Sequence, residues 1–171
     1  VKEAPEISVE GVYQKLNTEK YGGMILHTWM DRPLSVAGRV IFKHNDELVE
    51  KLVNLEQDLL IIPSVAIHFN REVNDGQKLN PQVDLLPLFS LAPDCKLLDM
   101  CADALQILPE QILGSDLYVY NRDRGRIMGA DQSLVGAPRL DDLQCGFATL
   151  QGFLEAASGE SVSATDRVSV Y

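Results

Sequence analysis

The sequence has no long apolar run, no close cysteine pair and no excess of positive charge, and each absence excludes a class of protein. None of its apolar runs approaches the roughly 18 residues that a membrane-spanning helix requires. The net charge of −10 argues against nucleic-acid binding, because binding to phosphates depends on Lys and Arg. Residues 1–6 do not combine a charged start with an apolar stretch, so we expect no targeting segment. These features predict a protein without nucleic-acid or membrane partners.

Cysteine is scarce, and its spacing bears on the cellular compartment. The three cysteines, Cys95, Cys101 and Cys145, include no Cys-x-x-Cys pair, and each lies in or beside an apolar helical pattern. Such residues are typical of reduced thiols, so we expect a cytoplasmic protein. A hydrophobic content of 46% in 171 residues is enough for one core, or for one domain with a short extension.

Much of the chain before residue 130 has the pattern of β structure. The expected strands are short runs of β-branched, aromatic and aliphatic residues, at 39–43, 48–55, 59–62, 117–120 and 126–128. Residues 48–55 also fit a helix, because leucines recur there at helical spacing as well as in alternation. We interpret them as a strand, since a turn at 44–46 places them in a hairpin.

Two other stretches have helical spacing. Val65, Phe69 and Val73 recur every four residues and predict a short helix that ends before Gly76. A second helix is predicted over 95–108, after a long loop.

Residues 136–143 form a loop that places Asp141 directly before an amphipathic helix. Apolar residues follow at spacings of four, three and four, so one face of that helix is expected to be anchored in a core and to hold Asp141 rigidly. An aspartate at this position either caps the helix or binds a metal ion. The spacing alone does not choose between these roles.

Other polar residues also have more than one interpretation. His68 lies off the apolar face of its predicted helix, and it is either a solvated histidine or a functional one. Trp29 and Leu34 are expected to bury apolar area, while Asp31 and Arg32 fix their loop through hydrogen bonds.

Three blocks, taken together and in order, resemble the M18 family of metallo-aminopeptidases: a Tyr-Gly-Gly segment at 21–23 leading into residues 27–40, a block at 62–74, and the Arg-Leu-Asp-Asp-Leu loop at 139–143. With the segments between them, the resemblance covers most of residues 1–157. It implies an enzyme that uses two zinc ions to remove N-terminal residues, often acidic ones, from peptide substrates. It also supports the strand interpretation of 48–55.

The resemblance implies roles for two residues. Asp141 matches the aspartate that bridges the two zinc ions, so we favour the metal-ligand interpretation for it. His68 matches a histidine that reaches from an inserted domain into the active site of a neighbouring subunit, where its N–H stabilises the oxygen that gains negative charge. The parent protein is accordingly expected to be a homo-oligomer, either a dimer or a dodecamer.

Several of the family's blocks are absent from residues 1–171. They are a His-x-Asp pair upstream of the Tyr-Gly-Gly segment, adjacent glutamates that supply the catalytic base and a ligand, and the final Asp and His ligands. We therefore expect an internal fragment that is inactive and metal-free by itself. The alternative, from another functional class, is a non-catalytic oligomerisation or scaffold module.

The expected fold class is α+β. Residues 1–135 are predicted to form the inserted dimerisation domain, a mainly β, barrel-like or sandwich-like structure with a few helices. Residues 136–171 are predicted to be a helix and a strand from the α/β catalytic domain, with the strand at 168–171.

Overall fold

The computed structural model describes residues 1–158, which form two compact units that divide after Arg122. The first unit is Val1–Arg122, and the second begins at Asp123. The domain boundary expected after residue 135 falls inside the second unit, and the strand expected at 168–171 lies outside the described residues. No helix among residues 1–158 is long and apolar enough to cross a membrane.

The first unit contains two antiparallel sheets of three strands each and one α-helix. Its strands are β1 (Glu6–Val9), β2 (Tyr13–Leu16), β3 (Leu34–His44), β4 (Glu47–Asn54), β5 (Leu88–Ser90) and β6 (Ile112–Asn121). One sheet has the order β1-β2-β5, and the other has the order β4-β3-β6. The helix α1 is Leu97–Leu105, and short 3₁₀ turns are found at Leu26–Trp29, Val73–Asp75 and Pro109–Gln111.

The longest strand, β3, is the centre of its sheet and pairs with β4 on one side and with β6 on the other. Asn45 and Asp46 connect β3 to β4, and both have a positive φ, as a two-residue hairpin turn that follows the strand twist requires. The predicted turn at 44–46 and the strand interpretation of 48–55 are therefore confirmed.

The core of the first unit combines residues from both sheets and from α1. Its buried apolar side chains are Leu16, Leu34, Val36, Val40, Phe42, Val53, Leu60, Ile62, Leu85, Leu97, Cys101 and Leu117. The helix expected over 95–108 is confirmed with the shorter bounds of α1. Burial raises the pKa of the Cys101 thiol to about 11, so this cysteine is a core residue and is protonated at neutral pH.

The mixed α and β composition is confirmed, but the expected barrel or sandwich is not. Three separate antiparallel sheets are present among residues 1–158, and none of them closes into a barrel. Closure requires long strands that pair around a full circle. Here β1, β2 and β5 have only three or four residues each, so the sheets keep open edges.

Two local predictions in the middle of the chain were wrong or only partly right. The helix expected from Val65, Phe69 and Val73 is replaced by successive tight turns and the 3₁₀ turn Val73–Asp75. Phe69 is 86% exposed, so its apolar spacing buries no face and cannot stabilise a helix. The strand expected at 59–62 is reduced to two single bridges, from Leu60 and Ile61.

The second unit contains a small hairpin and a long helix. The hairpin pairs β7 (Arg126–Met128) with β8 (Leu134–Gly136), and the helix α2 is Leu140–Ser158. The expected strand at 126–128 therefore exists, but its hydrogen-bonded neighbour is β8 and not the preceding strand. The sequence patterns did not indicate β8.

Candidate functional site

His68 lies in an exposed turn of the first unit. The N–H of Phe69 donates to the carbonyl of Ala66 at 2.9 Å, and the N–H of Asn70 donates to the carbonyl of Ile67 at 3.3 Å. His68 is between these pairs, and its side chain is exposed and has no hydrogen bond or ion pair within residues 1–158. Its imidazole is therefore open to a group from outside this unit.

The start of this turn is attached to the core by Asp31. The N–H of Asp31 donates to the carbonyl of the buried Ile62 at 2.9 Å. In return, Ser64 donates its backbone N–H to Oδ1 of Asp31 at 2.8 Å and its hydroxyl to Oδ2 at 2.5 Å. The two bonds from Ser64 hold the pKa of the Asp31 carboxyl below its usual value. The prediction that Asp31 fixes its loop through hydrogen bonds is confirmed.

His68 does not line either of two cavities found in the first unit. One of about 240 Å³ is mainly apolar and lies beside Trp29, Ile62 and Leu85. The other, about 550 Å³ and more open, is bordered by Asp31, Arg32 and the strand β5. The predicted burial of Leu34 is confirmed, and Trp29 packs against the same core.

Asp141 lies at the start of α2, on the loop-to-helix boundary that the sequence indicates. Its φ of −85° and ψ of 116° are not helical, and the peptide bond that joins it to Asp142 is cis. The carboxylate is exposed and accepts no hydrogen bond from residues 1–158, so the helix-capping role is not observed there. This leaves all of its oxygen lone pairs available to a ligand.

The apolar face of α2 is exposed. Leu143 is 64% and Phe147 65% accessible to solvent, and no residue of the helix is buried. The prediction that this face is anchored in a core is therefore wrong for the described residues. The rigidity expected for Asp141 therefore does not arise from packing of α2 against residues 123–158.

The described residues contain no complete set of metal ligands. Among residues 1–158, no three His, Cys, Asp or Glu side chains gather closely enough to hold a metal ion. Zinc sites in proteins usually take three or four protein ligands. Asp141 has the chemistry of one such ligand, a short carboxylate without another partner. His68 belongs to the first unit and Asp141 to the second.

Comparison with known proteins gives one consistent result. A sequence model of a family described as "Aminopeptidase I zinc metalloprotease (M18)" matches residues 1–171. A relative described as "Probable M18 family aminopeptidase 2" from Clostridium acetobutylicum is 42% identical over 170 residues, which cover 95% of this chain and 39% of the relative. A protein of the same description from Clostridium novyi is 44% identical over 163 residues, covering 91% and 38%. The chain thus spans about two fifths of the length of these relatives.

Solved structures share the fold. The cryo-EM structure of the Ape4 and Nbr1 complex contains a chain with a TM-score of 0.84 and 29% identity, covering 94% of this chain and 35% of that one. The dodecamer of mApe1 from Saccharomyces cerevisiae has a TM-score of 0.74 at 22% identity and covers 96% and 38%. At that identity the second match shows the fold alone.

Proposed function

The chain belongs to the M18 family of zinc metallo-aminopeptidases, and we propose that it is part of a dinuclear zinc enzyme that removes N-terminal residues, acidic ones included, from peptides. The observation that carries the proposal is the family match over residues 1–171. The side chains of His68 and Asp141 support it, because both are exposed, have no hydrogen-bond partner within residues 1–158, and lie at positions that match the family's motifs. Free cysteines support a reducing, cytoplasmic location for the parent protein.

Asp141 is proposed as a metal ligand that bridges two zinc ions. Its two oxygens sit on a side chain with only two torsions, which suits a pair of dications about 3.5–4 Å apart. When bound, zinc polarises the peptide carbonyl and lowers the pKa of the attacking water. The ligands that complete the site, and the glutamate that acts as general base, would come from outside the described residues.

His68 is proposed as the donor that stabilises the oxygen gaining charge during attack on the peptide carbonyl. A donor aimed at that oxygen acts in the transition state more than in the bound substrate, so its loss lowers kcat. The position of His68 in an exposed turn supports a role toward a neighbouring subunit, because its own unit gives the imidazole no partner. A site shared in this way would make oligomerisation a condition of activity.

The open edge and outer face of the β4-β3-β6 sheet are proposed as the subunit contact. Leu48 and Leu52 lie on the same face of the edge strand β4 and are 74% and 80% exposed. Exposed apolar residues on an edge strand are unusual unless another chain covers them.

Sedimentation at micromolar concentration tests this contact. We expect the 171-residue chain to form a dimer or a larger species, and Leu52→Lys to shift it to monomer. Val12→Lys, at an exposed apolar position in the β1–β2 turn, is the matched control and should leave assembly unchanged. A chain that sediments as a clean monomer would contradict this placement of the interface.

Mixed oligomers of the full-length parent protein test the shared site. We expect Asp141→Asn to weaken zinc binding and abolish nearly all activity, because a bridging charge is lost. We expect His68→Ala to keep zinc content and to lower kcat by roughly 10²–10³. When the two variants are mixed, some oligomers regain one complete site and activity returns in part. A mixture as inactive as its parents, with subunit exchange proven by mass, would rule out the shared site.

A further inference from the structure

We propose that Asp31 is a positioning residue for catalysis, because its clamp on Ser64 fixes the point from which the turn carrying His68 leaves the core. The inference rests on the proposed role of His68 as a donor. It adds a residue that touches neither substrate nor metal and that acts through His68.

The clamp uses both oxygens of the Asp31 carboxylate. Oδ1 accepts the backbone N–H of Ser64 at 2.8 Å, and Oδ2 accepts its hydroxyl at 2.5 Å. The N–H of Asp31 donates to the carbonyl of Ile62 at 2.9 Å. Three hydrogen bonds therefore join Asp31 to the short segment that begins at Ile62. Together they fix both the position and the direction of the chain in that segment.

No other contact of comparable strength holds the turn. In the described structure, the hydrogen bonds of residues 65–75 join only residues of that same segment. Val65, Ile67 and Phe69 are all exposed, so the turn around His68 buries no large apolar side chain; Val73, further along the segment, is half-buried. Ile62 is the last buried residue before His68, and Ser64 is the last residue tied to the core.

The conformation of Asp31 supports this role. Its φ is +56°, a left-handed conformation that Asp tolerates better than most residues, and it lies between the 3₁₀ turn Leu26–Trp29 and the start of β3. Leu34, the first residue of β3, is fully buried. Asp31 itself is exposed, and it lies three residues before this buried position. Hydrogen bonds to an ionised acceptor are roughly twice as strong as neutral ones, so the clamp persists at neutral pH.

Misplacing a catalytic group by about 1 Å can lower a rate by about 100-fold. Releasing the clamp leaves His68 present but no longer held, so the loss should be smaller than that of removing the donor. We expect Asp31→Ala in the full-length parent protein to lower kcat by about tenfold, with KM changed less than twofold. Asp31→Asn keeps the shape and one acceptor oxygen and should fall between Asp31→Ala and the unmodified enzyme.

A double-mutant cycle with His68 separates positioning from general stabilisation. If Asp31 acts through His68, then Asp31→Ala lowers kcat about tenfold in the unmodified enzyme and less than twofold in His68→Ala. Equal losses in both backgrounds would overturn the positioning role while leaving the role of His68 intact. A kcat unchanged in His68→Ala itself would instead overturn the proposed function on which the inference rests.

Asp131 offers a matched control. In the β7–β8 hairpin of the second unit, its Oδ1 accepts the backbone N–H of Ser133 at 3.2 Å and the hydroxyl of Ser133 at 2.8 Å. Asp131→Ala removes the same kind of Asp–Ser contact and should leave kcat unchanged. If Asp31→Ala does not fold, the double-mutant cycle can be repeated with Ser64→Ala. This variant is milder because it removes only the hydrogen bond from the hydroxyl. Equal losses from Ser64→Ala with and without His68 would contradict the inference as well.

Discussion

Gly38, in the middle of β3, is the position where the smallest possible substitution should have a large effect. It pairs with Leu117 on β6. A Cβ placed on Gly38 would lie 2.1 Å from the carbonyl oxygen of Asp116 and 2.9 Å from the Cα of Leu117. Both atoms belong to the backbone of the neighbouring strand, so neither can rotate away as a side chain would. Gly38→Ala therefore requires β3 and β6 to separate.

The size of the effect follows from these distances. Non-bonded heavy atoms are normally about 3.5 Å apart, so the two strands would have to separate locally by roughly 1 Å. Forcing an extra methyl group into a packed position costs about 1–3 kcal/mol. Stretching a neighbouring hydrogen bond of the sheet adds up to about 1 kcal/mol. We expect Gly38→Ala to lower the free energy of unfolding by about 1–4 kcal/mol.

Urea unfolding of the chain, followed through the fluorescence of its single tryptophan, measures this change. Trp29 packs against the core of the same unit and reports on its unfolding. With an m-value of about 2 kcal/mol per molar urea, the midpoint should fall by about 0.5–2 M. Gly114→Ala is the control, because Gly114 lies in the same sheet and a Cβ there has no atom within 4 Å. Equal midpoints for the two variants would refute the reasoning.

Three further results are expected. In the native chain, a thiol reagent should modify the exposed Cys145 quickly and the buried Cys101 only after unfolding, as peptide mapping of the labelled protein would show. NMR titration should place the pKa of the Asp31 carboxyl below its usual value, and Ser64→Ala should raise that pKa. Because the pKa is lower in the folded than in the unfolded chain, the ionised carboxylate stabilises the fold above the unfolded pKa. That stabilisation is lost as pH falls through the folded pKa. The 171-residue chain should show no zinc-dependent hydrolysis of N-terminal aspartyl or glutamyl peptides, because Asp141 alone cannot hold two metal ions.

The features that the sequence predicted correctly are those determined by neighbouring residues. The β3–β4 hairpin follows from alternation along two adjacent strands and from Asn45 and Asp46, which both tolerate a positive φ. The helix α1 follows from one apolar face whose residues Leu97 and Cys101 are buried. For the hairpin, the pattern and the contact that satisfies it lie close together in the chain. For α1 only the pattern is local, because the face is buried in a core that includes residues of distant strands.

The features that could not be predicted from the sequence depend on contacts between residues that are far apart in the chain. Asp31 and Ser64 are 33 positions apart, and nothing in the spacing of either residue indicates that they meet. The hydroxyl and the N–H of Ser64 both donate to Asp31. The bridges of Leu60 and Ile61 to β3 and β5 were likewise beyond local patterns, which suggested a complete strand there.

Two apolar helical patterns led to predictions that were wrong, and both failed for the same physical reason. Around Phe69 the spacing of apolar residues fits a helix, yet Val65 and Phe69 remain exposed in the described structure and tight turns form instead. Along α2 the same kind of spacing does form a helix, but Leu143 and Phe147 remain exposed. Apolar residues at a period of 3.6 therefore predict a helix face that has to be buried against another element. Whether the residues preceding the helix are held rigidly depends on the element that packs there. For Asp141, whose proposed role requires a rigid carboxylate between two cations, we therefore expect metal binding to depend on burial of the apolar face of α2 as well as on the ligands.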